Sequence, residues 1–125
     1  LFTDSSKAAC GSALCQRDDK GLMHPIAFSS HKLTPSQIKW SIVEKELFAL
    51  YKAACITFRH YLLGATQATE TTLVYSDHRP LAYLNSITDL SPRLNRWGLM
   101  LQELNLKTSY IPGPTNAVAD ALSRL

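Results

Sequence analysis

Residues 73–80 read LVYSDHRP, a short apolar run that stops abruptly on polar side chains. The apolar part, residues 73–75, suits a β-strand. Asp77 and His78 follow almost at once, and Pro80 cannot continue the pairing of a central strand. Such an ending is explained either by a polar turn or by a metal site at the edge of a sheet. The other acidic residues of the chain decide between these two explanations.

The bulk composition is that of one globular domain. The chain has 125 residues, of which 46% are apolar and 18% are charged, so extended disorder is excluded. No apolar run approaches the roughly 20 residues that span a bilayer, and the opening LFTDSS lacks the layout of a signal peptide. The formal net charge of +3 permits a polyanionic partner without requiring one.

The three cysteines predict an intracellular protein with reduced thiols. Cys10, Cys15 and Cys55 form no C-x-x-C pair and lie in apolar stretches. The histidines share no zinc-ligand spacing with them, so a cysteine–histidine zinc site is not expected.

The hydrophobic pattern predicts strands that alternate with helices. Apolar residues recur every three or four positions from Val43 to Phe58, which predicts a helix over Ser41–Leu62 that Gly64 can end. Strands separated by helices pair in parallel through right-handed crossovers, whereas the early hairpin requires antiparallel pairing. We therefore expect an α/β fold with a five-stranded mixed sheet and helices on its faces. The other predicted elements are a strand at residues 1–3, strands over 8–16, 24–30, 71–76 and 106–111, a hairpin turn over 17–21, a short helix or turn over 79–85, and helices over 91–104 and 117–125.

Asp4 and Asp77 each come directly after a short apolar strand. If these strands are parallel neighbours, their carboxyl ends lie about 4.8 Å apart at one edge of the sheet. Two convergent carboxylates repel each other, which raises a pKa or recruits a cation, and hard oxygen ligands suit Mg²⁺. Turn chemistry at a strand end is the alternative for either residue alone.

Three further acids are candidates for the same site. Glu44 and Glu46 lie on opposite flanks of the apolar stripe of the long helix, so periodicity leaves both open. Glu46 shares its flank with Ala49 and Ala53, whose small side chains leave room near the sheet. An ordinary position on the helix surface is the alternative for both glutamates. Asp120 lies near the start of the last helix, where an interaction with the helix dipole explains it by itself.

Taken together, the motifs of this chain resemble the ribonuclease H domain of reverse transcriptases, in particular that of the gypsy-type LTR retrotransposons. Each motif is short, but they occur in the family's order and spacing over essentially the whole chain. The motifs with acids are TDSS with Asp4, EKELFAL with Glu46, YSDHRPLAYL with Asp77 and NAVADALSRL with Asp120, and the others are HPIAFSSHKLTPSQIKWS, FRHYLLG, RLNRW and YIPGPTNAVADALSR.

The resemblance implies an RNase H-like sheet in the order 3-2-1-4-5 and an activity. The family hydrolyses the RNA strand of RNA/DNA hybrids with two Mg²⁺ ions, which Mn²⁺ can replace, held roughly 3.5–4 Å apart. Its catalytic and metal-binding acids fall on Asp4, Glu46, Asp77 and Asp120, which selects Glu46 over Glu44. Many members carry a histidine in the loop before the last aspartate, whereas the loop IPGPTN has none, and this departure is compatible with a slower enzyme.

Substrate contacts are expected from side chains around these acids. For the arginines the alternative is a solvated helix face, for Asn116 a helix cap, and for His78 simple packing in a turn. The candidates are Ser5, Ser6, His78, Arg93, Arg96 and Asn116.

We expect residues 1–125 to be a single domain cut from a longer reverse transcriptase polyprotein. Its partners would be an RNA/DNA hybrid and the polymerase or connection part of the same polyprotein, without a membrane. Its expected location is intracellular and cytoplasmic, in a retroelement particle. The alternative function is a catalytically weak or inactive module that serves as a structural tether, or a domesticated copy.

Overall fold

The computed structural model describes residues 1–79 and 91–124, and within them a five-stranded sheet has the order β3-β2-β1-β4-β5. β1 pairs antiparallel with β2, which pairs antiparallel with β3, whereas β1, β4 and β5 are parallel. This confirms the predicted mixed sheet and its order. The strands are β1 (Phe2–Ser5), β2 (Ala9–Arg17), β3 (Met23–Lys32), β4 (Thr72–Ser76) and β5 (Leu106–Tyr110).

The turn between β2 and β3 has the chemistry that its sequence predicts. One carboxylate oxygen of Asp18 accepts hydrogen bonds from the backbone N–H groups of Lys20 and Leu22, both at 2.9 Å. Gly21 takes a φ of +80°, a conformation that glycine adopts without steric cost. Pro25 is tolerated in β3 because this strand lies at the edge of the sheet.

The described helices lie between and after these strands. Ser41 and Ser91 accept hydrogen bonds from the backbone N–H groups of Glu44 and Leu94, and so cap the starts of α2 and α4. The predicted element at residues 79–85 falls almost wholly outside the described residues. The helices are α1 (Pro35–Ile38), α2 (Ile42–Tyr51), a π-helical segment (Lys52–Thr57), α3 (Arg59–Gln67), α4 (Pro92–Gln102), a 3₁₀ turn (Gly113–Thr115) and α5 (Ala117–Ser123).

The prediction of one continuous α-helix over Ser41–Leu62 is wrong. The chain changes to π-helical geometry at Lys52, and the N–H of Phe58 bonds to the carbonyl of Ala53, five residues back. Phe58 then leaves helical geometry, with a φ of −111°, and α3 begins. Gly64 lies inside α3 rather than ending it, since that helix continues to Gln67. Ala53, Ala54 and Cys55 of this wide turn are all buried in the core.

Helices cover both faces of the sheet. Cys10 is paired with His31, whose ring lies 5.9 Å from that of Phe48 on α2, so this face carries α2 and the main core. The next residue, Gly11, points to the opposite face because side chains alternate along a strand, and there it meets α5. None of the helices in the described ranges has the length and apolar character needed to cross a membrane.

Candidate metal centre

Four side chains converge where β1 and β4 end side by side. Asp4 lies within β1 rather than after it, and Asp77 directly follows β4, which is parallel to β1 as expected. Glu46 reaches the same place from α2, and His78 follows Asp77. One potential ligand atom from each of these four residues lies within 4.8 Å of all the others.

The structure brings Glu46, and not Glu44, to this cluster. The Glu46 side chain is 2% exposed, and its Oε1 accepts a hydrogen bond of 2.8 Å from the Ser5 hydroxyl. Its buried Oε2 has no hydrogen-bond partner among residues 1–79 and 91–124. Glu44 instead forms an ion pair of 2.7 Å with Arg93. A buried carboxylate oxygen without a partner is costly, and a cation at this point would satisfy it.

His78 completes the cluster from the exposed side. Its Nδ1 lies 3.0 Å from Oδ1 of Asp77 and 3.4 Å from Oε1 of Glu46. The longer distance is at the outer limit of a hydrogen bond, so the contact with Asp77 is the stronger one. The imidazole therefore lies against two of the acids and can support a cation site from its edge.

Asp120 lies beside Asp4, on the other side of the sheet edge from Glu46. It sits on α5, and its carboxyl lies close enough to that of Asp4 to raise the pKa of Asp4. Arg124, one turn later on the same helix, donates from Nε to Oδ1 of Asp120 at 3.0 Å. Asp120 is thus in contact with the cluster through Asp4, although it is not one of the four residues whose ligand atoms all lie together.

A glycine permits this approach of α5 to the sheet. Gly11 is the register partner of Asp4 across β1 and β2. A Cβ atom at Gly11 would overlap the carbonyl oxygen of Ala119 and lie 2.5 Å from the backbone nitrogen of Ser123. The absence of a side chain at this position lets the backbone of α5 rest directly on β2, one strand away from Asp4.

Burial and mutual repulsion raise the pKa values of two of the acids, so that each binds a proton more readily than it would in water. Burial, followed by the charge of Asp77, raises the pKa of Asp4 to about 6. Burial raises the pKa of Glu46 to about 7, although the hydrogen bond from Ser5 and the charge of His78 oppose that rise. Carboxylates in this condition gain from a divalent cation, which removes their repulsion and supplies the missing partner. The donor set of carboxylate oxygens with one imidazole fits Mg²⁺ or Mn²⁺.

The other residues expected to contact substrate have different surroundings. The Ser6 hydroxyl donates to the carbonyl of Ser123 at 2.5 Å, and so ties the end of β1 to α5. Arg93 pairs with Glu44, and its guanidinium lies 4.1 Å from the centre of the Trp40 ring. Arg96 is exposed on α4.

Asn116 does not act as a helix cap. It makes no side-chain capping bond to α5, and its Nδ2 donates instead to the carbonyl of Thr3 at 2.9 Å. The residue is 2% exposed, which indicates that its amide has a structural role rather than a contact with substrate. The same loop brings Gly113 to the site, where a Cβ atom would lie 3.1 Å from Oδ2 of Asp77.

Gly11 and Gly113 are the residues of this site that sequence reasoning did not single out. The small residues of AACGSALCQ indicate a closely packed strand, but not which element packs on it. Nothing local in PGPTN indicates that its glycine lies against Asp77, because the two are joined only by the fold.

The chain is similar to known reverse transcriptase sequences. Residues 1–104 match the family described as the RNase H-like domain found in reverse transcriptase. Over all 125 residues the chain is 42% identical to the retrovirus-related Pol polyprotein from transposon 297 of Drosophila melanogaster. It spans only 11% of that relative's length.

Solved structures share the fold. An RNase H1 named LC11, isolated from compost by a metagenomic approach, has a TM-score of 0.64 and 20% identity over 97% of this chain and 89% of its own. A foamy viral protease–reverse transcriptase, solved in complex with an RNA/DNA hybrid, has a TM-score of 0.59 and 22% identity over 90% of this chain and 15% of its own. Both likenesses show an RNase H-like fold.

Proposed function

The chain belongs to the RNase H-like domains found in reverse transcriptases, and we propose on this premise that it hydrolyses the RNA strand of RNA/DNA hybrids. The observation that carries the proposal is the meeting of Asp4, Glu46 and Asp77 at one sheet edge, with Asp120 next to Asp4. An enzyme of this kind needs acids from separate parts of the chain at one point, and the fold brings them there.

Each acid has a part in the proposed mechanism. Asp4 lies next to both the cluster and Asp120, so it would help to hold both ions. Glu46 and Asp77 hold one side of the site, and Asp120 holds the other. Two bound Mg²⁺ or Mn²⁺ ions would activate the attacking water and stabilise the leaving 3′-oxygen.

We also propose that this domain works within a retroelement polyprotein. Its relative from Drosophila is a Pol polyprotein about nine times longer than the chain, and a structural neighbour is a reverse transcriptase bound to an RNA/DNA hybrid. The proposed partners are therefore the hybrid and the polymerase or connection part, inside an intracellular retroelement particle.

Cleavage of a labelled RNA/DNA hybrid tests the activity. We expect cleavage of the RNA strand only with Mg²⁺ or Mn²⁺, and loss of at least ~100-fold in rate for Asp77→Asn, because removing one carboxylate disrupts ion binding. Asp19→Asn, in the exposed hairpin turn, is the matched control and should cleave like the wild type. Absence of cleavage with either metal would favour the inactive tether module, and cleavage that survives Asp77→Asn would place the activity elsewhere.

Single-stranded RNA and double-stranded DNA of the same sequence test the substrate class. Selection of RNA paired to DNA depends on the 2′-hydroxyl groups and on the shape of the hybrid. Equal cleavage of single-stranded RNA would contradict hybrid specificity even if the metal dependence holds.

A further inference from the structure

Ser5 is the last residue of β1 and follows Asp4 directly. Because side chains alternate along a strand, Ser5 points towards α2 while Asp4 points towards α5. Its hydroxyl donates to Oε1 of Glu46 at 2.8 Å, and the two residues are 41 positions apart in the chain. The strand that carries the first acid therefore also contacts the second.

This is the one hydrogen bond to the Glu46 carboxylate among the residues that the structure describes. The neighbouring imidazole of His78 lies 3.4 Å from the same Oε1, and the Oε2 atom has no partner there. A glutamate has three rotatable side-chain bonds, so a carboxylate without fixed partners samples several orientations. The Ser5 hydroxyl selects one of them, in which the carboxylate faces Asp4 and Asp77.

We propose that Ser5 is a positioning residue, which orients Glu46 for metal binding and does not itself contact the hybrid. Its hydroxyl proton is already donated to Glu46, so the same proton is not available for a phosphate of the substrate. Partners of metal ligands that hold them in orientation affect metal affinity strongly. The inference rests on the proposed metal-dependent function of the cluster.

Binding of Mn²⁺ without substrate tests the proposal. We expect Ser5→Ala to raise the dissociation constant for Mn²⁺, measured by isothermal titration calorimetry, by about 10-fold. Ser5→Thr keeps the hydroxyl and should stay within about 3-fold of the wild type, whereas Ser5→Val, of the same shape without the hydroxyl, should behave like Ser5→Ala. The Thr and Val pair also decides the matter if the alanine variant does not fold. Ser29→Ala, a half-buried serine on β3, is the matched control and should leave Mn²⁺ binding unchanged.

Steady-state kinetics distinguish a positioning role of Ser5 from direct contact between Ser5 and the hybrid. A positioning residue predicts a higher Mn²⁺ concentration for half-maximal cleavage in Ser5→Val, with an unchanged KM for the hybrid. A raised KM with unchanged Mn²⁺ affinity would instead show contact with substrate and would overturn the proposal. Equal Mn²⁺ affinity in Ser5→Thr and Ser5→Val would overturn it whether or not the wild type cleaves. Failure of the wild type to cleave, with a Mn²⁺ affinity that still depends on the Ser5 hydroxyl, would reject the proposed function and keep this inference.

Discussion

The acids at the sheet edge make the stability of the metal-free protein depend on pH. The pKa of Asp4 is raised to about 6 and that of Glu46 to about 7, chiefly by burial. Both carboxyls thus bind protons more tightly in the folded chain than in the unfolded chain. The stability that they contribute is complete below their unfolded pKa values, near pH 4, and is lost as the pH rises through about 6 to 7.

We expect Glu46→Gln to remove much of this dependence. The neutral amide takes no charge as the pH rises, so without metal the variant should melt roughly 5 °C higher than the wild type at pH 8. Below about pH 4 the two proteins should melt at nearly the same temperature, because Glu46 is then protonated in both the folded and the unfolded chain. Differential scanning calorimetry in EDTA across this range measures both values. An equal slope of Tm against pH in the two proteins would contradict the shift.

At this scale, the sequence and the family resemblance predicted the four acids but not their supports. Asp77 could be predicted together with Asp4, because each follows a short apolar strand and parallel neighbouring strands end side by side. Periodicity alone could not choose between Glu44 and Glu46, because both flank the apolar stripe at similar angles. The tertiary contacts distinguish the two glutamates, because Glu44 forms an ion pair with Arg93 and Glu46 accepts a hydrogen bond from Ser5. Both partners are more than 40 positions away in the chain, where no local pattern shows them.

The position of α5 depends on the missing side chain at Gly11. The helix backbone occupies the space in which a Cβ atom would lie, and its residue Asp120 reaches Asp4 as a result. The Ser30 hydroxyl donates to the carbonyl of Leu122 at 2.6 Å and holds the same helix to β3. Close backbone packing here determines whether the fourth acid lies at the site.

We expect Gly11→Ala to push α5 away from the sheet. Overpacking at such a contact costs about 1–3 kcal/mol of the free energy of unfolding, and Asp120 would move away from Asp4. Urea denaturation should show the lost stability, and the activity with Mg²⁺ should fall by more than ~10-fold as the site loses one acid. Gly64→Ala is the matched control, since a Cβ atom there meets nothing within 4 Å. That variant should be neutral or more stable by about 0.5–1 kcal/mol, because glycine is unfavourable inside a helix. A similar response to both substitutions would argue against close packing at Gly11.

The elements themselves followed from pattern better than their boundaries did. The mixed sheet could be predicted from pattern, since hairpin turns and crossovers have local signals, whereas its strand order was implied by the family resemblance. The π-helical segment Lys52–Thr57 could not be predicted, because its apolar spacing also fits a regular α-helix. What decides it is how Ala53, Ala54 and Cys55 fit together in the core. That fit depends on neighbours distant in sequence.

On the scale of the whole molecule, the net charge is modest for a protein that is proposed to bind a polyanion. The formal charge is +3, and the proposed catalytic edge itself carries four acids. Divalent ions reverse the local repulsion of phosphates, and the cations close to the described part of the site include Arg124, which pairs with Asp120, and Arg79, which directly follows His78. We therefore expect much of the binding affinity for a long hybrid to come from the rest of the polyprotein.

We expect the isolated chain to have a KM for the hybrid at least ~10-fold higher than the same domain joined to its polymerase part. Tethering raises the effective concentration of the hybrid at the site. Steady-state cleavage by the two proteins at equal salt measures the difference, and the log–log dependence of affinity on salt should be shallower for the isolated chain because it neutralises fewer phosphates. Equal KM values and equal salt slopes would show that this domain binds its substrate alone.

The hydrogen bond from Asn116 to the carbonyl of Thr3 joins residues 113 positions apart and holds the loop before α5 against the central strand. A ribosome therefore completes all five described strands before the last acid can meet the first. Until then the sheet edge has only three of the four acids. Any chain interrupted before Ala117 lacks both α5 and Asp120. Contacts between such distant residues also make folding slow. The proposed site is therefore incomplete until the helix that carries Asp120 has been made, and we expect no cleavage of RNA by a nascent chain that stops before it.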